Sequence, residues 1–422
     1  MDHRQFFRQF LALFSGTALA QLFNLASYPV LARLYTPEHF GLFGAFVAAA
    51  AIPGAIACGR FELGITTAPS AGRQAMLWLC FLVALIVSII ASIGIGIYWW
   101  AIDTPMIGFL VPLLFVTILL TGAANAVTMY LMRHEAFSFA STGVVVRTAT
   151  TVIVQLTVAF IWPSAAGLIA GFALGLVGQA ALGLFLTRRS HSIGRPRIGP
   201  MRAMFRRFRR QVSLDIPSTL LSALSINLMP FILQFLYGIR AVGFYSVGQR
   251  IAMLPLQLFN DSLSQVFFQR AARAQEERGE FWREFRFTLL ASGAISLAML
   301  VGLLLFAQPA VDFYLGPGWE MAGTILVILA PMLALRSVTM SLATTVFVLK
   351  RPGWLLLHNV ASVAAIAISF IIAWWFNLGL VLFLQVLAVM QGAEYLVFGM
   401  VLGAAAWSGQ KRQLETGKRE KS

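Results

Sequence analysis

The chain has 422 residues, of which 59% are hydrophobic and only 11% are charged. Soluble domains have roughly 45–50% apolar residues, so this composition excludes an ordinary soluble protein and indicates one embedded in lipid. The formal net charge of +15 does not indicate a nucleic-acid partner, because the basic residues lie in short segments between apolar stretches.

Apolar stretches bounded by charges and turn residues predict about twelve membrane-spanning helices in one all-α integral membrane protein. A helix needs about 20 apolar residues to cross a hydrocarbon core of about 30 Å. The predicted spans are residues 10–32, 41–58, 75–99, 107–131, 141–162, 165–187, 213–236, 243–268, 287–308, 321–347, 354–376 and 379–406.

Two pairs of spans have no charge between them. Each of these uncharged stretches is about 40 residues long, which fits a hairpin of two helices better than one crossing. We divide them at the turn residues Trp162-Pro163-Ser164 and Phe376-Asn377-Leu378-Gly379. We also expect no cleaved signal peptide, because the apolar pattern after Arg8 continues through Leu31.

The basic residues predict the orientation of the chain. With the N-terminus inside, 26 of the 31 Lys and Arg residues fall in the N-terminal segment, the cytoplasmic loops and the C-terminal tail. Because cytoplasmic loops carry the excess of positive charge, both termini are predicted to be cytoplasmic.

A connector rich in arginine occupies residues 188–212, near the middle of the chain. Its second part has an apolar face surrounded by arginines, which predicts an interfacial helix beside anionic headgroups. That face consists of Met201, Met204, Phe205, Phe208 and Val212. The segment is either a linker that follows the positive-inside rule or one that recognises phosphate groups.

An internal repeat relates the two halves of the chain. Residues 31–43 align without gaps to residues 233–245 at an offset of 202, and two Leu, one Tyr and one Gly coincide. Six spans in each half give both halves the same orientation, so an axis along the membrane normal relates them, as in rocking transporters. The predicted organisation is a bundle in 1–187, the connector 188–212, a second bundle in 213–406 and a charged cytoplasmic tail in 407–422.

Four arginines lie within or at the end of predicted spans. A charge at the centre of a membrane helix costs about 2.5–3.5 kcal/mol on insertion scales, so each needs a partner, water or a ligand. Arg336 and Arg250 are candidates for binding an anion in a cavity, with an intramembrane ion pair as the alternative. Arg147 either lines a cavity or extends to the nearby interface, and Arg60 either does so or pairs locally with Glu62.

Three further acids are candidates for an ion pair or for coupling to an ion. Asp215 precedes Ile216-Pro217 and is predicted to be a helix N-cap, with ion coupling as the alternative. Asp261 and Glu394 lie inside the eighth and twelfth spans. Each either pairs with an arginine or carries a proton.

Polar amides and small residues mark the remaining candidate positions. Gln21 and Asn24 share one face of the first span and Asn227 lies in the seventh, where they either bond between helices or contact sugar hydroxyls. Glycines 167, 171 and 175 of the sixth span predict a close helix contact.

No cofactor or metal is expected, because there is no nucleotide loop and the histidines lack metal spacing. They are His3, His39, His134, His191 and His358.

Several of these segments resemble a known family. They are residues 13–21, 34–41 and 59–63 in the first half, and residues 243–251, Leu254-Pro255 and residues 267–272 in the second. Together they resemble Wzx-type polysaccharide flippases of the multidrug, oligosaccharidyl-lipid and polysaccharide exporter superfamily. The resemblance implies two pseudo-symmetric six-helix bundles around a central cavity in the bacterial inner membrane.

The resemblance also implies a cargo, an undecaprenyl-pyrophosphate-linked oligosaccharide that moves from the cytoplasmic to the periplasmic leaflet for O-antigen or exopolysaccharide synthesis. The implied partners are this substrate, membrane lipids and other polysaccharide-assembly membrane proteins.

Two rival functions remain. A multidrug or cation antiporter of the same superfamily is disfavoured, because intramembrane arginines repel cationic cargo. A glycan polymerase or ligase is less favoured, because the longest predicted periplasmic loop, Pro309 to Glu320, has about a dozen residues, too few to hold a catalytic site outside the bilayer. We therefore expect a protein that is not an enzyme. A channel or scaffold is compatible with the sequence, although the two-half build favours alternating access.

Overall fold

The computed structural model describes residues 20–69, 72–133, 137–190 and 196–419, and these residues form helices without any strand. Helix α1 includes residues 20–34. The other helices are α2 (Pro37–Ala55), α3 (Glu62–Thr67), α4 (Arg73–Ala101), α5 (Ile107–Arg133), α6 (Phe137–Ile161), α7 (Ala165–Ser190), α8 (Ile198–Asn227), α9 (Met229–Tyr237), α10 (Ile239–Arg278), α11 (Trp282–Leu315), α12 (Glu320–Leu342), α13 (Thr345–Val348), α14 (Gly353–Trp375) and α15 (Leu380–Arg419).

Among the described residues, nine helices are long and apolar enough to cross a membrane. A tenth crossing is formed if the bent pair Asp215–Asn227 and Met229–Tyr237, with an angle of 43° at the break, is one span. The predicted all-α membrane fold is therefore confirmed, but the count of twelve is not. Residues 10–19 of the first predicted span lie outside the described residues, and α10 runs through the eighth as one helix of 40 residues.

Both hairpins predicted within uncharged stretches are present. Helix α6 ends at Ile161 and α7 begins at Ala165, and α14 ends at Trp375 before α15 begins at Leu380. Asn377 in the second turn has a φ of 48°, in the left-handed region that asparagine tolerates better than most residues. Turn residues thus placed both breaks correctly where charge gave no signal.

Helix α8 corrects the expectation for Asp215. It continues without interruption from Ile198 to Asn227, so Asp215 lies in its interior and is not an N-cap, and Pro217 lies inside the helix as well. The expectation was wrong because it began the helix at the membrane boundary, whereas the amphipathic segment before Asp215 is itself helical. Three residues of the predicted apolar face, Met201, Met204 and Phe208, pack against a buried cluster that includes Phe61 and Met76.

The chain divides into two compact units, Met1–Gly243 and Phe244–Ser422. The first contains α1 to α9 and the start of α10, and the second contains the rest of α10 and α11 to α15. The division into bundles around the connector 188–212 stays a prediction. Each unit is described by itself below.

Burial in the long apolar helices is the reverse of the soluble pattern. In α14 the buried face carries Ser362 and Ser369, whereas Leu357 and Trp374 are 67% and 59% exposed. Helices α4 and α11 likewise bury serines and expose isoleucine, leucine or phenylalanine. Some of the buried hydroxyls donate to their own helix, as Ser369 does to the Ala365 carbonyl at 2.8 Å, whereas the Ser92 and Ser296 hydroxyls find no partner among the described residues. Such helices are suited to lipid as their outer solvent.

The predicted glycine contact in the first unit is confirmed. Gly167, Gly171 and Gly175 of α7 face α6 so closely that a Cβ on Gly171 would lie 2.9 Å from the Thr151 carbonyl oxygen. Small residues allow this approach, which is the usual way that membrane helices gain packing contacts.

We expect Gly171→Ala to destabilise the protein by about 1–3 kcal/mol, because the new methyl group overlaps the backbone of α6. Gly178→Ala on the same helix is the matched control. Its Cβ would meet its neighbours at 3.4 Å, and alanine gains about 0.5–1 kcal/mol in a helix interior. Thermal unfolding in detergent measures both. Equal effects of the two substitutions would contradict the contact.

Candidate functional site

The two copies of the sequence repeat have the same local structure. Helix α2 begins at Pro37 and α10 begins at Ile239, and these positions differ by the repeat offset of 202. In each copy the equivalent tyrosine, Tyr35 or Tyr237, comes just before the new helix. The Tyr35 hydroxyl donates to the Gln155 carbonyl at 2.9 Å, which connects the first copy to α6.

The two copies also contact each other through equivalent residues, all within the first unit. A Cβ on Gly41 would clash with the Ile239 carbonyl, and a Cβ on Gly243 would clash with the Pro37 carbonyl. Because Pro37 is equivalent to Ile239 and Gly41 to Gly243, the contact is reciprocal. This is the arrangement expected at a two-fold axis, where the same surface of each copy meets itself.

A salt bridge joins a third equivalent pair at this contact. Arg240 Nε lies 3.2 Å from Glu38 Oε1, and the side chains are 65% and 44% exposed. An ion pair this exposed contributes about 0–1 kcal/mol. The repeat contact, defined as residues 37–41 against residues 239–243, is thus closely packed yet held by a weak charge pair.

Arg336 lies deep in a candidate membrane span of the second unit. The span is Glu320–Val348, so Arg336 is 16 residues from one end and 12 from the other. Its side chain is half-buried, and its charge acts on the phenols of Tyr245 and Tyr395. In the part of the chain that the structure describes, no carboxylate lies within 4.0 Å of it. The guanidinium therefore keeps its capacity to bind an anion.

The other two interior arginines are also half-buried. Arg147 on α6 lies over the Phe172 ring, 5.2 Å from its centroid, so a cation–π contact partly stabilises its charge. Arg250 lies on α10 in the second unit. A role for either in binding cargo stays a prediction.

Arg60 and Glu62 form the predicted local pair between α2 and α3. Arg60 Nη1 lies 3.4 Å from Glu62 Oε1, and the two side chains are 28% and 8% exposed. Arg60 has a φ of 62°, which turns the chain sharply between the two helices. Asp215 on α8 lies near enough to interact electrostatically with Glu62. The three charged residues therefore lie near one another in the first unit, and their role in transport stays a prediction.

Asp261 lies beside a polar contact between α10 and α12 in the second unit. The neighbouring Asn260 Oδ1 accepts hydrogen bonds from Ser337 at 2.8 Å and Ser341 at 3.1 Å. Asp261 itself is exposed, and no described arginine or lysine lies within 4.0 Å of it. The structure therefore shows no ion pair for this carboxylate.

The candidate amides occupy half-buried positions in the first unit. Asn227 Nδ2 donates to the Ala223 carbonyl of its own helix at 2.9 Å, at the break between α8 and α9. Gln21 and Asn24 lie on α1, where the backbone carbonyl of Asn24 accepts a hydrogen bond from the Ser27 hydroxyl at 2.7 Å. Contacts of these amides with sugar hydroxyls stay a prediction.

Glu394 pairs with a residue that the sequence reasoning missed. His358 Nδ1 lies 2.6 Å from Glu394 Oε1, and the side chains are 5% and 10% exposed. A signal was present in the sequence: His358 is 18 residues before Phe376 and Glu394 is 15 residues after Gly379. Two helices joined by that turn bring such positions to similar depth. The partner expected for Glu394 was an arginine, and the observed one is a histidine.

Comparison with solved structures identifies the fold. The chain has the fold of an inward-facing multidrug resistance MATE family transporter of the MOP superfamily, with a TM-score of 0.67, 16% identity and coverage of 94% of this chain and 96% of that one. Lipid II flippase MurJ in an inward closed conformation gives a TM-score of 0.68 at 14% identity, covering 92% and 86%. The protein is thus a multi-pass membrane protein with a transporter and flippase fold.

A sequence profile identifies the family. The profile of a family described as polysaccharide biosynthesis protein matches residues 30–323, which is more than half of the chain, so the chain belongs to that family. The polysaccharide biosynthesis family agrees with the family resemblance seen in the sequence, and the fold is the one that this resemblance implies. A search of curated proteins gives no match.

A double-mutant cycle tests the charge pair at Arg60. We expect Arg60→Gln to lower stability by about 1–3 kcal/mol, because a nearly buried carboxylate loses its cation, and Arg60→Gln/Glu62→Gln to cost less than Arg60→Gln alone. Chemical unfolding in detergent measures all the variants, with Glu62→Gln completing the cycle. Strictly additive effects would show that the two side chains do not interact.

Proposed function

We propose that this protein is a flippase that moves undecaprenyl-pyrophosphate-linked oligosaccharide units from the cytoplasmic to the periplasmic leaflet of the bacterial inner membrane. The cycle serves the synthesis of a surface polysaccharide such as O-antigen or exopolysaccharide. The protein has both termini in the cytoplasm and is not an enzyme. Its partners are the lipid-linked substrate, membrane lipids and other polysaccharide-assembly proteins of the membrane.

One observation carries the choice of cargo: Arg336 is half-buried in a membrane span with no carboxylate within 4.0 Å among the described residues. An arginine at this depth costs energy unless a partner or water compensates it. A pyrophosphate group is such a partner, because the guanidinium matches phosphate oxygens with two parallel hydrogen bonds. Membership of a polysaccharide biosynthesis family supports a cargo whose pyrophosphate carries a glycan.

The repeat contact supports movement by alternating access. Its sides are equivalent segments of the two repeats, and the sequence predicts both to lie on the periplasmic side. A closed contact there denies a headgroup passage to the periplasm. The exposed salt bridge between Glu38 and Arg240 is weak enough to break in each cycle, and the glycines allow the surfaces to close again without side chains between them.

A multidrug exporter is the second candidate, since the fold is shared with MATE transporters. A cationic drug would meet repulsion from Arg336, and no described carboxylate lies within 4.0 Å of this arginine to offset its charge. The anionic cargo is therefore favoured over the cationic one.

We expect Arg336→Ala to slow flipping of a lipid-pyrophosphate oligosaccharide in proteoliposomes by roughly 10- to 100-fold. This corresponds to losing a charge-assisted hydrogen bond of about 1.5–3 kcal/mol. Arg336→Lys should retain part of the rate, because the charge stays while the two-pronged geometry is lost. Arg273→Ala is the control, since Arg273 is 80% exposed in an i, i+4 pair with Glu277 on α10. Wild-type rates in Arg336→Ala at equal insertion would remove Arg336 from the cargo site.

We expect a cross-link across the repeat contact to stop flipping. Glu38→Cys/Arg240→Cys treated with a short thiol cross-linker ties together the two segments that must separate. Arg273→Cys/Glu277→Cys replaces a salt-bridged pair within one helix and should flip normally after the same treatment. Cys58 and Cys80 are buried and free, so the treated wild type reports any reaction at native thiols. Undiminished flipping by a fully cross-linked Glu38/Arg240 variant would show that the contact stays closed throughout the cycle.

A further inference from the structure

A buried histidine and carboxylate meet between α14 and α15 in the second unit, inside two candidate membrane spans. The distance from His358 Nδ1 to Glu394 Oε1 is 2.6 Å. The His358 ring stacks on Phe398, with 4.3 Å between centroids and 9° between planes. The stacking holds the His358 ring in place, and the two side chains are joined directly by a short hydrogen bond with no room for a water molecule between them.

That distance requires a proton between the two atoms. Either the imidazole nitrogen donates to a carboxylate or a carboxylic acid donates to the nitrogen, and in both cases the pair holds a proton that either partner can carry. In the deprotonated pair the neutral imidazole donates this hydrogen bond to the carboxylate, and the net charge is −1. A further proton, added to the other ring nitrogen or to the carboxylate, brings the net charge of the pair to zero. A net charge buried in a membrane span is costly, so the protonation state of the pair controls the energy of the surrounding helices.

The pair leaves a buried polar atom without a partner among the described residues, which a bond serving only to join the two helices would avoid. Glu394 Oε2 is buried and accepts no hydrogen bond from any described residue. An interhelical connection at this interface is already available from uncharged groups, since Gln391 Nε2 donates to Ser362 Oγ at 3.4 Å. Burying an ionisable pair with one oxygen unsatisfied costs free energy that such neutral bonds avoid.

Other polar and charged groups lie close to the pair. Tyr395 on α15 interacts electrostatically with Glu394, and its hydroxyl also bonds to Ser362 on α14. Arg336 on α12 acts on the same Tyr395 phenol. A polar strip of Ser362, Gln391 and Tyr395 therefore continues from the pair along the interface of α14 and α15, and one end of it lies within electrostatic reach of the proposed cargo arginine.

We propose that His358 and Glu394 form a proton-binding site that takes up and releases one proton during the transport cycle. Uptake adds a proton from water to the deprotonated pair, and release returns it to water, with no other bond made or broken. Chains of histidine and acidic residues play this part in membrane pumps and transporters, and histidine is the side chain suited to exchange near neutral pH. The inference rests on the proposed transport function but not on the identity of the glycan.

Infrared difference spectroscopy on the purified protein tests the site without any transport. Between about pH 8 and pH 5, the wild type should gain a carboxylic acid C=O band that disappears in Glu394→Gln and changes in His358→Gln, or imidazolium bands that disappear in His358→Gln and change in Glu394→Gln. Glu284→Gln is the matched control, since Glu284 pairs with Arg278 at the end of α10, and it should leave the bands unchanged. A spectrum without any pH-dependent band that these two substitutions alter would overturn the proposal.

Flipping in proteoliposomes then separates the two proposals. A pH gradient should shift the steady-state distribution of lipid-pyrophosphate oligosaccharide between leaflets in the wild type, and Glu394→Gln should flip the lipid to an even distribution that the gradient does not move. Wild type that flips but ignores the gradient, or a Glu394→Gln variant that responds to it, would overturn the proton site and leave the flippase intact. Wild type that does not flip the lipid would overturn the proposed function, while the infrared result still decides whether the pair exchanges a proton.

Discussion

The absence of water in the lipid interior is the constraint on which this structure depends. Backbone N–H and C=O groups that find no partner there cost several kcal/mol each, so a spanning segment must satisfy them within itself. This explains why the described residues are helical throughout and why the outward faces carry leucine, isoleucine and phenylalanine. It also explains why an inward-facing serine such as Ser369 is tolerated, since a hydroxyl that bonds to its own helix adds no unsatisfied group.

The same constraint makes each interior charge informative. Four of the described charged or ionisable residues illustrate ion pairing within the protein, and two others have no described opposite charge within 4.0 Å. Arg60 with Glu62 and His358 with Glu394 belong to the first group, and Arg336 and Asp261 belong to the second. Of these two, Arg336 lies in a candidate membrane span, where a charge without a close opposite charge costs free energy unless water or a ligand compensates it. The proposed flippase uses Arg336 for the anionic headgroup, and the proton site adds a way for the charge of the second unit to change.

Sequence reasoning predicted what depends on local composition. Apolar length predicted the all-α membrane fold although not the number of spans, turn residues located both uncharged hairpins, and glycine spacing predicted the close contact of α7 with α6. It failed where the outcome depended on how segments continue or meet. Asp215 and Pro217 carry the local signs of a helix start, yet α8 passes through them because the amphipathic segment before them is also helical and packs on the first unit. For the histidines the sequence indicated only that they lack metal spacing. Because His358 and Glu394 are 36 residues apart, only the folded hairpin of α14 and α15 shows that the two side chains meet.

The charge pair of the repeat contact has a consequence for how such a chain can arise. At a two-fold contact, if one residue meets a second then their counterparts meet as well, as Gly41 with Ile239 and Gly243 with Pro37 do. A residue on the axis itself meets its own counterpart, as Glu38 meets Arg240. Two identical half-length subunits would therefore place glutamate against glutamate, or arginine against arginine, where Glu38 and Arg240 now attract each other. Opposite charges at these equivalent positions require two copies that differ in sequence. If a duplicated half-protein was the ancestor, joining the halves into one polypeptide allowed each to specialise at the axis, and this attraction could appear only after they had diverged.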